Sequence, residues 1–460
     1  MEKGIGMKKS YEIDMCNGPL FGKILAFSVP LMLSGILQLL FNAADTVVVG
    51  RFAGSTALAA VGSTSSLINL LTNLFIGFSV GANVLIARFY GAKKEKEASE
   101  TVHSAICLSV ICGVILLALG VSVTRQILVW MGTPGEVLGQ AALYMKIYFI
   151  GMPVMLLYNF GSSILRAIGD TRRPLYYLMA AGVVNVALNL VFVIVLHMGV
   201  AGVATATVVS QALSAFLILR CLSGLEGSCR LDLKKLCLKK DKTIQIMRIG
   251  FPAGLQGMVF SLSNVLIQSS VNSFGAVAMA GNTAAMNLEG FIYIAMNSFH
   301  QTAMSFTSQN LGAGKIKRIN QVLFLCLGMV TFVGLTMGWA AYLAGKPLLR
   351  IYSSDGEVIR YGIMRLSVIC TTYCLCGIMD VFVGALRGIG YSFMPMVVSL
   401  LGACGLRILW IFTIFQWHRS LLGLYISYPV SWLLTGAVHA LCYIVVSRKH
   451  LNVVYNPKEK

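Results

Sequence analysis

The segment LRAIGDTRRP runs from Leu165 to Pro174, and LRGIGYSFMP runs from Leu386 to Pro395. Their offset is 386 − 165 = 221 residues. The same offset carries GAKKEK at Gly91 onto GAGKIK at Gly312, and Gly135-Glu136-Val137 onto Gly356-Glu357-Val358. It also pairs Gly54 with Gly275, His197 with His418, Gly202 with Gly423 and Ser210 with Ser431. Pro30 and Pro252 lie 252 − 30 = 222 apart, so one residue was gained or lost within the first segment of a unit. Many matches at one spacing mark an internal repeat, and the chain reads as two copies of one unit.

Hydropathy says what the unit is. The chain has 460 residues with 12% charged residues and a mean hydropathy of +0.79. Soluble domains carry about 25% charged residues. Apolar runs of about 20 residues recur along the whole length, each long enough to cross a hydrocarbon core of about 30 Å. They do not alternate as the strands of a membrane β-barrel would. The expected spans are 21–49, 57–87, 99–121, 138–164, 175–196 and 199–221, then 244–272, 277–309, 319–343, 359–386, 393–416 and 420–446. The fold class is therefore an all-α integral membrane protein, with twelve transmembrane helices in two six-helix repeats. An even number of spans returns the chain to its starting side, so the copies run parallel. The expected domains are a tail over 1–20, a first lobe over 21–222, a basic linker over 223–243, a second lobe over 244–446 and a tail over 447–460.

The formal net charge is +19, which on a soluble chain would suggest nucleic acid. Here the basic residues sit in alternate loops. Lys93, Lys94 and Lys96 follow span 2; Arg166, Arg172 and Arg173 follow span 4; Lys315, Lys317 and Arg318 follow span 8; Arg387 follows span 10. Arg230, Lys234, Lys235, Lys239, Lys240 and Lys242 follow span 6, and Arg448 and Lys449 follow span 12. The positive-inside rule puts these loops and both termini in the cytoplasm. Attraction to anionic lipid headgroups accounts for the charge without a nucleic-acid partner. No cleavable signal peptide is evident. The twelve cysteines are scattered; Cys370, Cys374 and Cys376 lack the paired spacing of a zinc site and read as small apolar side chains. There is no HExxH, no Walker loop and no glycine-rich dinucleotide turn, so an enzyme and direct ATP coupling are both unexpected. Two equivalent bundles facing each other suit a transporter that works by alternating access, driven by an ion gradient.

Polar residues inside the spans are costly and mark function. In span 1, Ser34, Gln38, Asn42 and Asp45 recur at spacings of four, four and three, on one helix face. Such a stripe should line a cavity. Span 5 carries Asn185 and Asn189; span 6 carries Thr205 and Thr207; span 7 carries Asn264, Gln268 and Asn272. Glu289 lies in span 8, Asp380 in span 10 and Arg407 in span 11. Glu289 and Asp380 have a structural alternative, pairing with Arg407. The asparagines have one as interhelical glue, and the threonines as groups bonding back to their own helices. The repeat helps to choose. Asn189 maps onto Trp410, Asn185 onto Leu406 and Asp380 onto Asn159 at an offset of 221, while Asp45 maps onto Ile267 at 222. Scaffold features repeat and these do not. Asp45 is then the expected ion-coupling acid of the first lobe. Loss of water on closure penalises its charged form, so it can carry a proton; with Asn and Thr oxygens it can also bind Na⁺.

Taken together, Pro30 with Asp45-Thr46-Val47 and Gly50, the GAKKEK and NLGAGK loops, and the two LR-x-IG segments resemble the multidrug and toxic compound extrusion (MATE) family. The resemblance covers about residues 15–448. It implies a V-shaped pair of lobes in the plasma membrane that exports cationic and amphiphilic small molecules in exchange for H⁺ or Na⁺, without a cofactor. A monomer is expected. The family's first-span acid matches Asp45, its fifth-span pair matches Asn185 and Asn189, and its sixth-span Thr matches Thr207. Asp45 and Asn189 would be metal ligands if Na⁺ couples transport. Gln38, Asn42, Asn264, Gln268, Glu289 and Asp380 are the expected cavity residues. One branch has an aspartate where Asn189 stands, and another has a span-7 glutamate that this chain lacks, so the coupling ion stays open. A lipid-linked precursor flippase of the same superfamily is the alternative. It should line its cavity with Arg and Lys, of which only Arg407 is evident well inside a span.

Overall fold

In the computed structural model, residues 11–451 are described; they are mostly helical, with no strand among them. Twelve membrane-length segments follow in order. The first lobe holds α1 (Leu20–Ala53), α2 (Ser55–Gly91), α3 (Glu95–Trp130), α4 (Gly135–Ile150 and Met152–Ala167), α5 (Arg172–Val195) and α6 (Gly199–Ser223). The second holds α7 (Lys240–Asn272), α8 (Ala276–Gly312), α9 (Ile316–Leu343), α10 (Gly356–Thr372 and Cys374–Ile389), α11 (Phe393–Trp417) and α12 (Leu421–Val446). Among the described residues nine helices are apolar enough to span a membrane, and eleven with each bent pair counted once. The remaining segment, α8, has 37 residues and is more polar because Glu289 and the run Thr302 to Asn310 are buried against protein. Large apolar side chains such as Val183, Phe332 and Leu401 are each 69% exposed, as a lipid solvent requires.

The repeat is visible in backbone detail. Gly54 and Gly275 turn the chain at φ +91° and +93°; Gly169 and Gly390, in the two LR-x-IG segments, do so at +97° and +109°. Only glycine adopts this region readily. α4 bends by 48° and α10 by 45°. Pro153 accounts for the first bend. Its counterpart in α10 is Cys374 (374 − 153 = 221), so proline is not essential to the shape. Both bends instead press on a glycine of the neighbouring helix. A Cβ at Gly113 would strike Pro153, and one at Gly334 would strike Cys374.

Each lobe has its own apolar core, and the two are cross-stitched. Met15, just before α1, and Leu20, Ile24 and Phe27, at its start, belong to the second lobe's core, whereas Ile246 of α7 belongs to the first. The lobes meet at the end that carries the basic loops. Gly77 and Gly81 of α2 face Gly250 and Gly254 of α7 with no room for a Cβ, a GxxxG crossing on both helices. Nearer the loops the contacts are reciprocal. Gly91 packs on the Gln309 carbonyl and Gly312 on the Arg88 carbonyl. Arg88 donates to the Ile389 carbonyl at 2.7 Å, and Gln309 to the Ala167 carbonyl at 2.8 Å. The segment before α1 crosses this seam. Ile13 donates to the Gly169 carbonyl (3.2 Å), while Met15, fully buried, accepts from Asn310 and Arg318 (both 3.1 Å). Asn73 to Ser261, at 3.3 Å, joins the lobes at mid-depth. The seam is therefore closed at the basic-loop end, and the lobes diverge toward the other.

The crossing sets a stability prediction. Gly81→Ala should cost about 1–3 kcal/mol by overpacking. Gly62→Ala, on the same helix with open space around it, should cost nothing and can gain up to about 1 kcal/mol. Thermal unfolding of the two variants in detergent checks this; equal losses would contradict the crossing.

Candidate functional site

The first-lobe polar residues converge. Asp45 projects from the last turns of α1, before a short π-helical stretch at Val49–Ala53, and Asn185 and Asn189 stand one turn apart at the end of the regular part of α5. Asn189 donates to Asp45 Oδ1 at 2.5 Å and to Asn185 Oδ1 at 3.2 Å. The Thr207 hydroxyl, from α6, lies 3.4 Å from Asp45 Oδ2 and 3.0 Å from its own helix at the Val203 carbonyl. Asn189 is fully buried, and its Oδ1 has no hydrogen-bond partner. A carboxylate, an unsatisfied amide oxygen and a hydroxyl thus share one small space. Those are hard oxygen ligands for a small cation; protonating Asp45 would equally supply a donor. Among the described residues no cationic side chain is paired with Asp45. Thr205 bonds only its own helix, at the Ala201 carbonyl.

A separate cavity of about 560 Å³ lies between α7, α8, α10, α11 and α12 of the second lobe, with Asn73 of α2 at its edge. Asn264, Gln268, Glu289 and Asp380 line it. Gln38 and Asn42 do not. They lie exposed on α1 and are not among the cavity's lining residues. The stripe of span 1 therefore splits: its Asp45 end faces the first-lobe cluster, and the others do not join the second-lobe cavity. Gln268 is also committed locally, accepting from Asn282 and donating to Asn272, both at 2.9 Å.

The structural alternative for Glu289 and Asp380, pairing with Arg407, is not what the structure shows. Glu289 takes a two-pronged contact from Arg365, with Nε to Oε1 and Nη2 to Oε2 both at 2.7 Å; Arg365 also donates to Asn282 at 2.9 Å. Asp380 feels the charge of Arg387, whose Nη2 donates to Gln256 at 2.8 Å. Arg407 instead donates to Ser431 at 2.9 Å and sits 4.2 Å from the centroid of the Tyr428 ring. The cavity wall thus carries three arginines and not one. Arg365 and Arg387 are each under a tenth exposed. Arg387, read from sequence as a loop charge, lies in the last turn of α10. A helix-end arginine and a loop arginine look alike in sequence; only the bend of α10 and its packing turn this one inward. Asp170 was also missed. It is fully buried and accepts from the Arg172 and Arg173 amides, both at 3.1 Å, and from the Arg173 side chain, fixing the start of α5.

The MatE family model matches residues 30–191 and again 252–413, one match in each repeat. The "Probable multidrug resistance protein YoeA" of Bacillus subtilis (strain 168) is 28% identical over 413 residues, covering 88% of this chain and 89% of that protein. The "FAD transporter" of Shewanella oneidensis is 25% identical over 445 residues, covering 94% of this chain and 96% of that protein. A solved structure described as the "Outward-facing conformation of a multidrug resistance MATE family transporter of the MOP superfamily" superposes with a TM-score of 0.89 at 20% identity, covering 97% of this chain and 99% of that one.

Arg365→Met leaves Glu289 buried without its cation and should cost about 3–5 kcal/mol. Arg365→Met with Glu289→Met should recover most of that loss. Thermal unfolding of both single variants and the double variant checks it; strictly additive losses would mean that the pair is not coupled.

Proposed function

This chain belongs to the MatE family, and on that premise we propose that it is an ion-coupled exporter of amphiphilic drugs. Members of the family are membrane transporters and not enzymes, and the chain is a multi-pass membrane protein. The further steps are our reading. One cation, H⁺ or Na⁺, enters the Asp45 cluster as a substrate leaves the second-lobe cavity. The four residues Asp45, Asn185, Asn189 and Thr207 are its coupling site. The basic loops and both termini face the cytoplasm of a cell whose plasma membrane the protein occupies. Lobes at 21–222 and 244–446, joined by the linker at 223–243, rock about the seam. Both lobes lie in one chain, so a monomer suffices.

The observation that carries this reading is the carboxylate of Asp45, which no cationic side chain among the described residues pairs with, held by two neutral donors beside an unsatisfied oxygen. Empty and charged, it resists closure against lipid or protein; occupied by a cation, it is neutral and permits closure. Binding of the ion and closing of the lobe are then one event. The relatives' printed names support drug export.

A second reading has one observation in its favour. Three arginines line the cavity, which removes the reason for setting aside acidic substrates, and one relative is named as an FAD transporter. A flippase or an exporter of acidic molecules would use those arginines.

Proteoliposomes loaded with a fluorescent organic cation test the primary reading, with a proton gradient and a sodium gradient imposed in separate runs. One gradient alone should drive export, and Asp45→Asn should reduce that driven rate by at least about tenfold. Gradient-driven export that persists in Asp45→Asn would overturn the assignment of the coupling site.

A further inference from the structure

Of the three arginines on the second-lobe cavity, Arg365 is answered in full and Arg387 in part. Glu289 engages Arg365 through both carboxylate oxygens. Arg387 donates through Nη2 to Gln256 and has the Asp380 charge near it, although its Nε is buried without a partner. Arg407 is different. It is 4% exposed, its Nε donates to the neutral Ser431 hydroxyl, and its Nη2 is buried with no hydrogen-bond partner. Among the described residues no carboxylate lies within ion-pair distance of it.

Its position is nonetheless fixed. The guanidinium carbon lies 4.2 Å from the Tyr428 ring centroid and 5.5 Å from that of Trp432, and Ser431 pins the Nε edge. Cation–π contact stabilises the charge without consuming its donors. The remaining Nη edge is therefore pre-organised, desolvated and unused. Such a planar fork matches the oxygens of a carboxylate or phosphate. Beside it Tyr373 stacks on Trp432 at 5.3 Å between centroids, which gives the same wall an aromatic face. A stacked ring and an oxyanion can thus be met together.

We propose that Arg407 is an anion-recognition subsite, and that this cavity takes aromatic amphiphiles bearing an acidic group. The subsite rests on the reading of the second-lobe cavity as the substrate site. Asp380 on the same wall can meet an amine in the same molecule, so zwitterions belong to the class. Arg365 contributes little to this selection, because Glu289 already neutralises it.

The test is equilibrium binding to the full chain in lipid nanodiscs, read by fluorescence polarisation. Two probes are used: a rhodamine with a free carboxylate and its methyl ester. Wild type should bind the acid about tenfold more tightly than the ester, the scale of one charge-assisted hydrogen bond. In Arg407→Gln the acid should fall to the affinity of the ester, and Arg407→Lys should restore part of the preference. A competition in wild type needs no variant. Naphthoate or naphthyl phosphate should displace the acid probe, and whichever does so names the preferred oxyanion; naphthamide should not. Equal affinity for both probes in wild type, equal weakening of both in Arg407→Gln, or displacement by the amide as readily as by the anions would overturn the subsite. Binding of the ester alone overturns the subsite and leaves the cavity reading standing. A wild type that binds neither probe overturns both.

Discussion

A carboxylate inside a membrane protein must be neutralised by something, and Glu289 and Asp45 meet that constraint in opposite ways. Glu289 is matched to a permanent cation, Arg365, through two short hydrogen bonds. The pair is neutral in every state, so it can rigidify the second lobe but cannot report on an ion. Asp45 has only an amide and a hydroxyl. Its neutralising charge must come from outside the chain. A soluble protein could leave such a group in water at little cost; here the surrounding lipid makes the missing charge expensive. That difference separates a structural acid from one that can couple transport to a gradient.

The architecture around Asp45 gives the charge something to act on. The lobes are closed at the basic-loop end by glycine crossings and reciprocal carbonyl contacts, and each core borrows the first turns of a helix from the other half. Contacts of this kind have discrete packed arrangements and do not deform smoothly. A charge change in one lobe can then favour one arrangement over another. The cavity proposed for the substrate lies in the opposite lobe, with its own arginines and aromatic wall. Ion and substrate would act on one rocking motion without touching each other, which is the thermodynamic form of exchange.

How much of this was legible in the sequence follows from what each feature depends on. The offset of 221 and the apolar runs are properties of the chain alone, and they predict the two parallel bundles. Asp45, Asn185, Asn189 and Thr207 could be grouped because they break the repeat and because the family resemblance aligns them. The structure brings all four together. The partners of Glu289 and Arg407 were not legible. Glu289 could have met any of several arginines, and the choice of Arg365 over Arg407 depends on the relative rotation of α8, α10 and α11. Arg387 was read as a loop charge because hydropathy ends span 10 one residue before it. Gln38 and Asn42 share a face with Asp45 by spacing, yet a helix that passes both lobes presents that face to different surroundings along its length.

The central claim is that occupancy of Asp45 sets the arrangement of the lobes. Spin labels at Met131 and Tyr352, exposed positions related by the repeat (352 − 131 = 221), would report it in a cysteine-free variant in nanodiscs. Their distance would be measured while H⁺ and Na⁺ are titrated separately. The account predicts that one of the two ions shifts the distance distribution in wild type, and that Asp45→Asn stays in the ion-occupied distribution under all conditions. The same ion-dependent shift in Asp45→Asn as in wild type would contradict it.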